Sequence, residues 1–392
     1  MNQLTYISLF SSAGVGCYGF KMEGFDCVAT NELLQKRLDV QKVNHKCKYN
    51  SGYVLGDILL PETKQEILNQ LQLWKEKENL TDLTVLIATP PCQGMSVANH
   101  KKKDESKRNS LVVASLSLIM QIKPRYFVIE NVKAFLNTVC TDIDGDNKKI
   151  RQAILDDLSN MYNIEFKVLN FKNYGANSSR TRTLVIGVRK DIDVMPDSLY
   201  PNYREELTLR QVIGDLPSLK TMGEIDPLDI FHYFRSYSPE MRHWIENLKE
   251  GECAFDNEDK NRLPHYYKDG VKVYTKNGNA DKYTRQFWDK VAPCIHTRND
   301  ILASQNTVHP VDDRVFSIRE LMRLMSIPTS FRWTDDSLER LNSLSMTEKT
   351  RYLVQNDINI RQSIGEAVPT EIFRQIAEEI KKVENEWHCK IF

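Results

Sequence analysis

The side chains best suited to covalent chemistry lie in the stretch Ala88-Thr89-Pro90-Pro91-Cys92-Gln93-Gly94-Met95-Ser96. Residues 84–88 (TVLIA) read as a buried strand, stopped by the two prolines. Proline fixes its own φ and restricts the residue before it, so Cys92 is delivered in a defined place. A thiolate there would be a nucleophile, favoured by a nearby helix end or cation. Taken alone, a Pro-Cys pair is more often structural. The second group is Glu130, which ends the apolar run Tyr126-Phe127-Val128-Ile129 and is followed by Asn131-Val132. Strands of a parallel sheet open their C-terminal ends on one crevice, so Cys92 and Glu130 should face one pocket. The local alternative for Glu130 is a helix-capping acid.

A second set of residues suits ligand binding. The turn Phe10-Ser11-Ser12-Ala13-Gly14-Val15-Gly16 joins a first strand to a first helix, and its glycines allow backbone amides to approach a ligand. Glu32 ends the second strand, where a carboxylate can accept from ribose hydroxyls. Asp57 ends a third, where it could accept from an adenine amino group. Each acid alone is more often a solvated surface residue; three successive strand ends with suitable chemistry point to a site.

These groups need a scaffold, and the chain supplies an alternating one. Strands are expected at about 4–10, 26–30, 84–88, 126–129, 164–169 and 183–188, with helices at about 32–45, 64–78, 111–122 and 148–161. The alternation implies an α/β fold with a doubly wound sheet. Beyond residue 189 the texture turns irregular and rich in Tyr, Asn, Asp and Lys. Order returns with a helix at 317–325 and an amphipathic helix at 369–386. The expected organisation is a catalytic and cofactor-binding domain at 1–189, a smaller irregular domain with a hinge at 190–355, and a C-terminal segment at 356–392 that returns to the first.

Composition excludes more than it identifies. With 53 basic and 53 acidic side chains, net charge alone does not point to nucleic acid. No apolar run approaches the roughly 18 residues of a membrane span. The first residues lack a signal-peptide pattern, which implies a cytoplasmic protein. The eight cysteines are scattered without zinc-knuckle spacing; seven read as small hydrophobes, and no metal site is expected.

In this order the motifs resemble the DNA (cytosine-5) methyltransferase family of the bacterial restriction-modification type, over nearly the whole chain. Phe10–Gly16 is similar to the family's cofactor loop, Pro90-Pro91-Cys92-Gln93 to its nucleophile motif and Glu130-Asn131-Val132 to its ENV signature. Arg180-Thr181-Arg182 matches its paired arginines, residues 314–331 its ninth motif and 364–369 its tenth. The resemblance implies a Rossmann-like sheet, S-adenosylmethionine as cofactor and a target-recognition domain over about 190–312. It also implies a reaction. Cys92 attacks C6 of a flipped-out cytosine, Glu130 holds its N3/N4 edge, Arg182 contacts O2, and Arg180 supports Arg182 or the backbone. By the same resemblance Phe10, Gly14, Glu32, Asp57, Ile58, Pro91, Leu111 and Val368 contact the cofactor. Residues 93–108 correspond to a mobile loop closing over the base; its lysines could contact phosphates or form a solvated charge run.

The chain departs from the family's pattern at several points. Ser8 stands for Asp, Ser12 for Gly, Leu33 for the aromatic that stacks on adenine, Ser178 for Gln and Glu366 for Asn. The long spacing between Phe331 and Arg361 implies a helical insertion. Tyr233, Arg235, Tyr237, Tyr266, Tyr267 and Arg285 could read bases or phosphates, while the ordinary role for most such residues is in the core or on the surface. The implied partners are double-stranded DNA and a cognate restriction endonuclease, with the enzyme a monomer. The alternative is a tRNA cytosine-5 methyltransferase, whose Cys-Phe-Thr signature is absent.

Overall fold

The computed structural model describes the backbone of residues 3–91, 105–275 and 281–391, with side chains from 111 onward in the second span and up to 386 in the third. Cys92 and residues 93–104 of the expected loop lie outside the described residues. Two compact units are formed. The first comprises residues 1–174, 181–203 and 368–392, and the second 175–180 and 204–367.

The first unit is built on a seven-stranded sheet. In chain order its elements are β1 (Thr5–Leu9), α1 (Tyr18–Met22), β2 (Asp26–Glu32), α2 (Gln35–Val43), β3 (Tyr53–Leu55), α3 (Pro61–Lys77), β4 (Val85–Ala88), α4 (Glu105–Ile122) and β5 (Tyr126–Val132). A small hairpin, β6 (Val139–Thr141) and β7 (Asn147–Lys149), precedes α5 (Ile150–Leu158), β8 (Tyr162–Asn170) and β9 (Thr181–Arg189). The strand order is β3-β2-β1-β4-β5-β9-β8. The five strands from β3 to β5 pair in parallel, whereas β9 runs antiparallel to both its neighbours. A parallel pair needs a long crossover, and only a short link joins β8 to β9. Helix α4 begins at Glu105, earlier than the apolar periodicity suggests.

β4 is buried along its whole length and β5 up to its last residue, the pattern of strands covered on both faces. Helix α3 turns Ile67, Leu71 and Trp74 into the same core. The C-terminal helix α11 (Thr370–Ile391) buries Ile372, Phe373, Ile376 and Ile380. Near its end the Glu384 carboxylate accepts from Arg125 Nε at 2.9 Å and Tyr126 Oη at 2.7 Å.

The second unit has little regular structure: α6 (Leu209–Ile213), the β10–β11 pair (Ile225–Asp226, Asp229–Tyr233), α7 (Pro239–Ile245), the β12–β13 hairpin (His265–Lys268, Val271–Tyr274), α8 (Ile318–Leu324), α9 (Leu338–Ser343) and α10 (Met346–Glu366). The expected insertion before Arg361 is α9 and most of α10. Where no ladder satisfies the backbone, buried arginines do. Arg285 donates to the carbonyls of Ile245, His309 and Asp312, and Arg361 to that of Phe316. Arg314 forms a two-pronged pair with Glu320 at 2.8 Å and a second pair with Asp312. The Arg314 guanidinium and the His309 ring hold the Glu320 carboxyl far below the usual carboxylate range, despite complete burial.

Removing one partner of such a pair strands a buried charge, so Glu320→Gln should destabilise the second unit by about 3–5 kcal/mol, measured by denaturant unfolding. A carboxyl pair in the first unit has the opposite sign. Burial and the neighbouring Asp142 charge push Asp157 up to about 6, while Lys148 pairs with Asp142 at 2.8 Å. A raised carboxyl favours the fold below its ordinary range near 4 and loses that contribution as pH rises through about 6. Asp157→Asn should therefore raise the unfolding temperature at pH 7.5, with the gain vanishing towards pH 4; thermal scans across that range check it.

Candidate active site

The C-terminal ends of β3, β2, β1, β4 and β5 open on one edge, and polar contacts connect them in series. Beyond β3, the Gly56 amide donates to the Glu32 carbonyl at 3.1 Å, and Asn31 Nδ2 donates to Val54 and Gly56 carbonyls. Glu32, closing β2, uses its carboxylate in two directions. One oxygen accepts from the Ser12 amide at 2.7 Å, and the other from Leu33 and Leu34 amides at the entry to α2. The second and first strand ends are thereby joined.

The turn after β1 is tightly wound. Phe10 and Ser12 adopt left-handed backbone angles (φ 56° and 45°), and Gly14 follows at φ 79°. A left-handed non-glycine residue costs about 1–2 kcal/mol. At Ser12, the charge-assisted bond to Glu32 offsets this, since such bonds contribute about 1.5–3 kcal/mol. Serine in place of the family's glycine is thus accommodated. A Cβ on Gly14 would come within 3.0 Å of Gln41 Cγ. Gln41 backs the turn by donating to Ser11 Oγ and the Ser12 carbonyl, and Lys46 donates to Gln41 Oε1 from behind. Ser8, where the family has Asp, is buried with its hydroxyl 3.1 Å from Cys17 Sγ, a setting that needs no charge.

The segment leading to Cys92 is held from both sides. Thr89 Oγ1 donates to the Phe10 carbonyl at 3.0 Å, and Asn131 Nδ2 donates to the Pro90 carbonyl at 2.9 Å. Residues 89–90 are therefore fastened between the glycine turn and the end of β5. Glu130, mostly buried, forms an ion pair with Arg182 Nε at 3.2 Å. The register places Val132 opposite Arg182, so β9 brings this cation to the carboxylate. Arg182 also donates to the Thr181 carbonyl at 2.8 Å. Arg180 is a residue of the second unit, donating to the Ile295 carbonyl at 2.9 Å and the Gly365 carbonyl at 3.4 Å.

The remaining residues expected to hold a cofactor fall into two groups. Phe10, Glu32 and Asp57 are partly exposed along the edge, Pro91 is exposed, and Leu111 is partly buried against the main core. Gly14, Ile58 and Val368 are buried. Asp57 Oδ1 accepts from the Leu59 amide, closing the turn into α3. Val368 lies beside the turn, because a Cβ on Gly16 would meet Val368 Cβ at 3.2 Å, and Thr370 Oγ1 donates to the Val15 carbonyl. Leu33 is 63% exposed next to Glu32, leaving an apolar surface at the rim. A carboxylate, a glycine cradle and an exposed leucine together fit a nucleoside-bearing cofactor.

Residue type alone does not single out Thr89 or Gln41, and it leaves Asn131 as a motif letter. Asn131 carried a usable signal, an amide directly after a strand-end acid. Gln41 carried none, since its role depends on tertiary approach. Among the other described cysteines, Cys17, Cys27, Cys47, Cys140 and Cys253 are buried. Burial pushes the thiols of Cys17, Cys47 and Cys253 up, and that of Cys140 to about 11. Neutral buried thiols are poor nucleophiles; Cys27, shifted down against its burial by its hydrogen bond with Cys47 and by Lys46, is only 1% exposed.

Four of the six candidate readers are structural, the ordinary role for residues of these types. Tyr233 and Arg235 both bond Asp357, Tyr237 Oη accepts from the Val315 amide, and Arg285 is buried among carbonyls. Only Tyr266 and Tyr267 of the set are exposed.

Known proteins agree with this architecture. A family model described as C-5 cytosine-specific DNA methylase matches residues 4–382. The type II methyltransferase M1.HgaI of Avibacterium volantium is 35% identical, with 95% of this chain and 97% of that protein aligned. The type II methyltransferase M1.HphI of Haemophilus parahaemolyticus is 25% identical over 97% of this chain and 87% of its own. In fold, the chain is similar to a prophage-encoded methyltransferase from E. coli (TM-score 0.62, 18% identity, covering 98% and 100% of the two chains). It is also similar to the Entamoeba histolytica methyltransferase EhMeth (TM-score 0.56, 13% identity, covering 97% and 99%). With the family match running from residue 4 to residue 382 and the 35% identity extending over nearly the whole of both proteins, the chain belongs to the C-5 cytosine-specific DNA methylase family and is a DNA (cytosine-5)-methyltransferase.

Proposed function

We propose that the protein methylates C5 of a cytosine flipped out of a specific duplex DNA sequence, using S-adenosylmethionine and a covalent bond between Cys92 and C6. The observation that carries this reading is the fastening of residues 89–90 between the glycine turn and Asn131 of β5, the residue after Glu130. A chain held in this way just before Cys92 supports the reading that the thiol acts beside the glycine turn and Glu130.

When bound, S-adenosylmethionine supplies an electrophilic methyl group on a sulfonium. Glu32, Asp57 and the turn around Gly14 would hold its nucleoside, with Phe10, Ile58, Leu111 and Val368 as apolar neighbours and Pro91 at the boundary with the base. The Cys92 thiolate adds to C6, and the electron pair of the C5–C6 double bond moves towards C5 and the ring. Glu130 holds the N3/N4 edge and keeps a proton at N3 as negative charge develops there, a contribution typically worth about 10²–10⁴-fold. Arg182 orients the Glu130 carboxylate and reaches O2. Arg180 anchors the backbone of the neighbouring segment. C5 uses the electron pair so released to take up the methyl group, after which loss of the C5 proton to a solvent base expels the Cys92 thiolate and restores the ring. The base must leave the stack, because a paired cytosine offers no face to a thiol.

The relatives are named type II methyltransferases, and we assign this chain the same role. It protects a short sequence from a partner endonuclease in the cytoplasm, acting as a monomer. The first test is transfer from labelled S-adenosylmethionine to mixed-sequence duplex DNA, with bisulfite sequencing of the product. Label in 5-methylcytosine at one short motif is expected, with Cys92→Ser lowering the rate by at least about 10³-fold. Label in tRNA and none in DNA would replace duplex DNA by the alternative substrate. Glu130→Gln should lower kcat by about 10²–10⁴-fold with cofactor affinity unchanged by calorimetry; an equal loss of cofactor binding would remove it from the chemistry.

A further inference from the structure

The β12–β13 hairpin presents the second unit's densest group of exposed aromatic side chains. Tyr266 is 52% exposed, Tyr267 60%, Tyr274 45% and Val271 65%. Its turn, Lys268-Asp269-Gly270-Val271, has left-handed angles at both central residues (φ 51° and 76°), the tight geometry that matches strand twist. The base is anchored. The buried His265 ring lies 5.2 Å from that of Trp244, its Nε2 is 2.5 Å from Glu240, and the Thr275 amide donates to the Pro264 carbonyl.

Pairing sorts the side chains onto two faces. His265, Tyr267, Lys272 and Tyr274 share one, and Tyr266, Lys268, Val271 and Val273 share the other. The first face leans on the anchor through His265, whose ring contacts both Tyr267 and Tyr274. The second points away from it. A short, strongly exposed ribbon with three tyrosines is an aggregation hazard unless a partner covers it.

Given the reading that the substrate is duplex DNA, we propose that this ribbon enters the DNA major groove with its outward face, Tyr266 and Val271 contacting base edges and Lys268 a phosphate. Size agrees. Strands of four residues extend about 13 Å, and the groove is about 12 Å wide and 8.5 Å deep, enough for a two-stranded ribbon. Charge agrees as well: the exposed ribbon carries Lys268 and Lys272 against Asp269 alone. The four candidate readers other than Tyr266 and Tyr267 are committed to bonds within the second unit.

The test compares the wild-type enzyme with Tyr266→Ala/Val271→Ala and with Lys268→Ala, all as full chains. Assays use labelled S-adenosylmethionine on randomised duplex DNA, with product sequencing, salt titration of DNA binding and thermal unfolding. The double variant should raise KM for DNA by roughly tenfold or more and relax the motif at one or more positions. Lys268→Ala should lower the salt slope by about one and leave the motif intact. All three proteins should unfold at the same temperature. If the wild type methylates duplex DNA and the variants keep its KM, motif and salt slope, the ribbon does not contact DNA and the inference fails alone. If the wild type labels only tRNA, the substrate reading and the inference fail together.

Discussion

Parallel pairing of β3, β2, β1, β4 and β5 is the constraint from which the candidate site follows. It requires a crossover between every pair of strands, so each strand ends on the same edge as its neighbours. Acids placed at strand ends in the sequence therefore gather without further instruction. What remains is to hold the loops in register. Glu32 does this between β2 and β1, Thr89 between β4 and β1, and Asn131 between β5 and β4. Each contact satisfies a backbone group that leaves the sheet, so the bonds that complete the backbone also aim the functional groups.

The two units solve the same backbone problem differently. In the first, the ladder of the sheet satisfies amides and carbonyls, and apolar burial supplies the stability. The second has too few strands for that, and buried arginines with several donors each take over. Arg285, Arg314 and Arg361 are almost fully buried and bond carbonyls or carboxylates that regular structure would otherwise satisfy. Such a unit tolerates irregular loops, because its rigidity does not rest on repeating geometry. An arginine-held frame can carry a projecting ribbon without altering the sheet.

Much of the sheet was legible beforehand because buried strands are short, continuous and apolar, and because prolines and glycines mark their ends. The direction of β9 was less so. It depends on the missing helix between residues 170 and 181, which periodicity indicates only by omission. In the irregular region, residue type left DNA readers and structural residues indistinguishable. Tyr233, Arg235, Tyr237 and Arg285 have the chemistry of DNA readers, yet each is bound within the second unit. Aromatic and arginine side chains serve cores and interfaces equally well, and only burial distinguishes the two. The Asp269-Gly270 dipeptide between the strand-like runs 265–268 (HYYK) and 271–274 (VKVY) is a hairpin signal.

By itself the sequence determined the family chemistry: a cysteine after two prolines, an acid at a strand end, and a glycine turn that fits a nucleoside cofactor. Those features are local, since they depend on residue type and on where a strand must stop. Only the tertiary structure decided which groups share a neighbourhood. Arg182 meets Glu130 because β9 inserts beside β5 in a particular register, while Arg180, two residues earlier, bonds carbonyls of the second unit. Val368 reaches the glycine turn from the far end of the chain because α11 docks its apolar face on the first unit. Register and docking are set by long-range burial, which no short stretch of sequence contains.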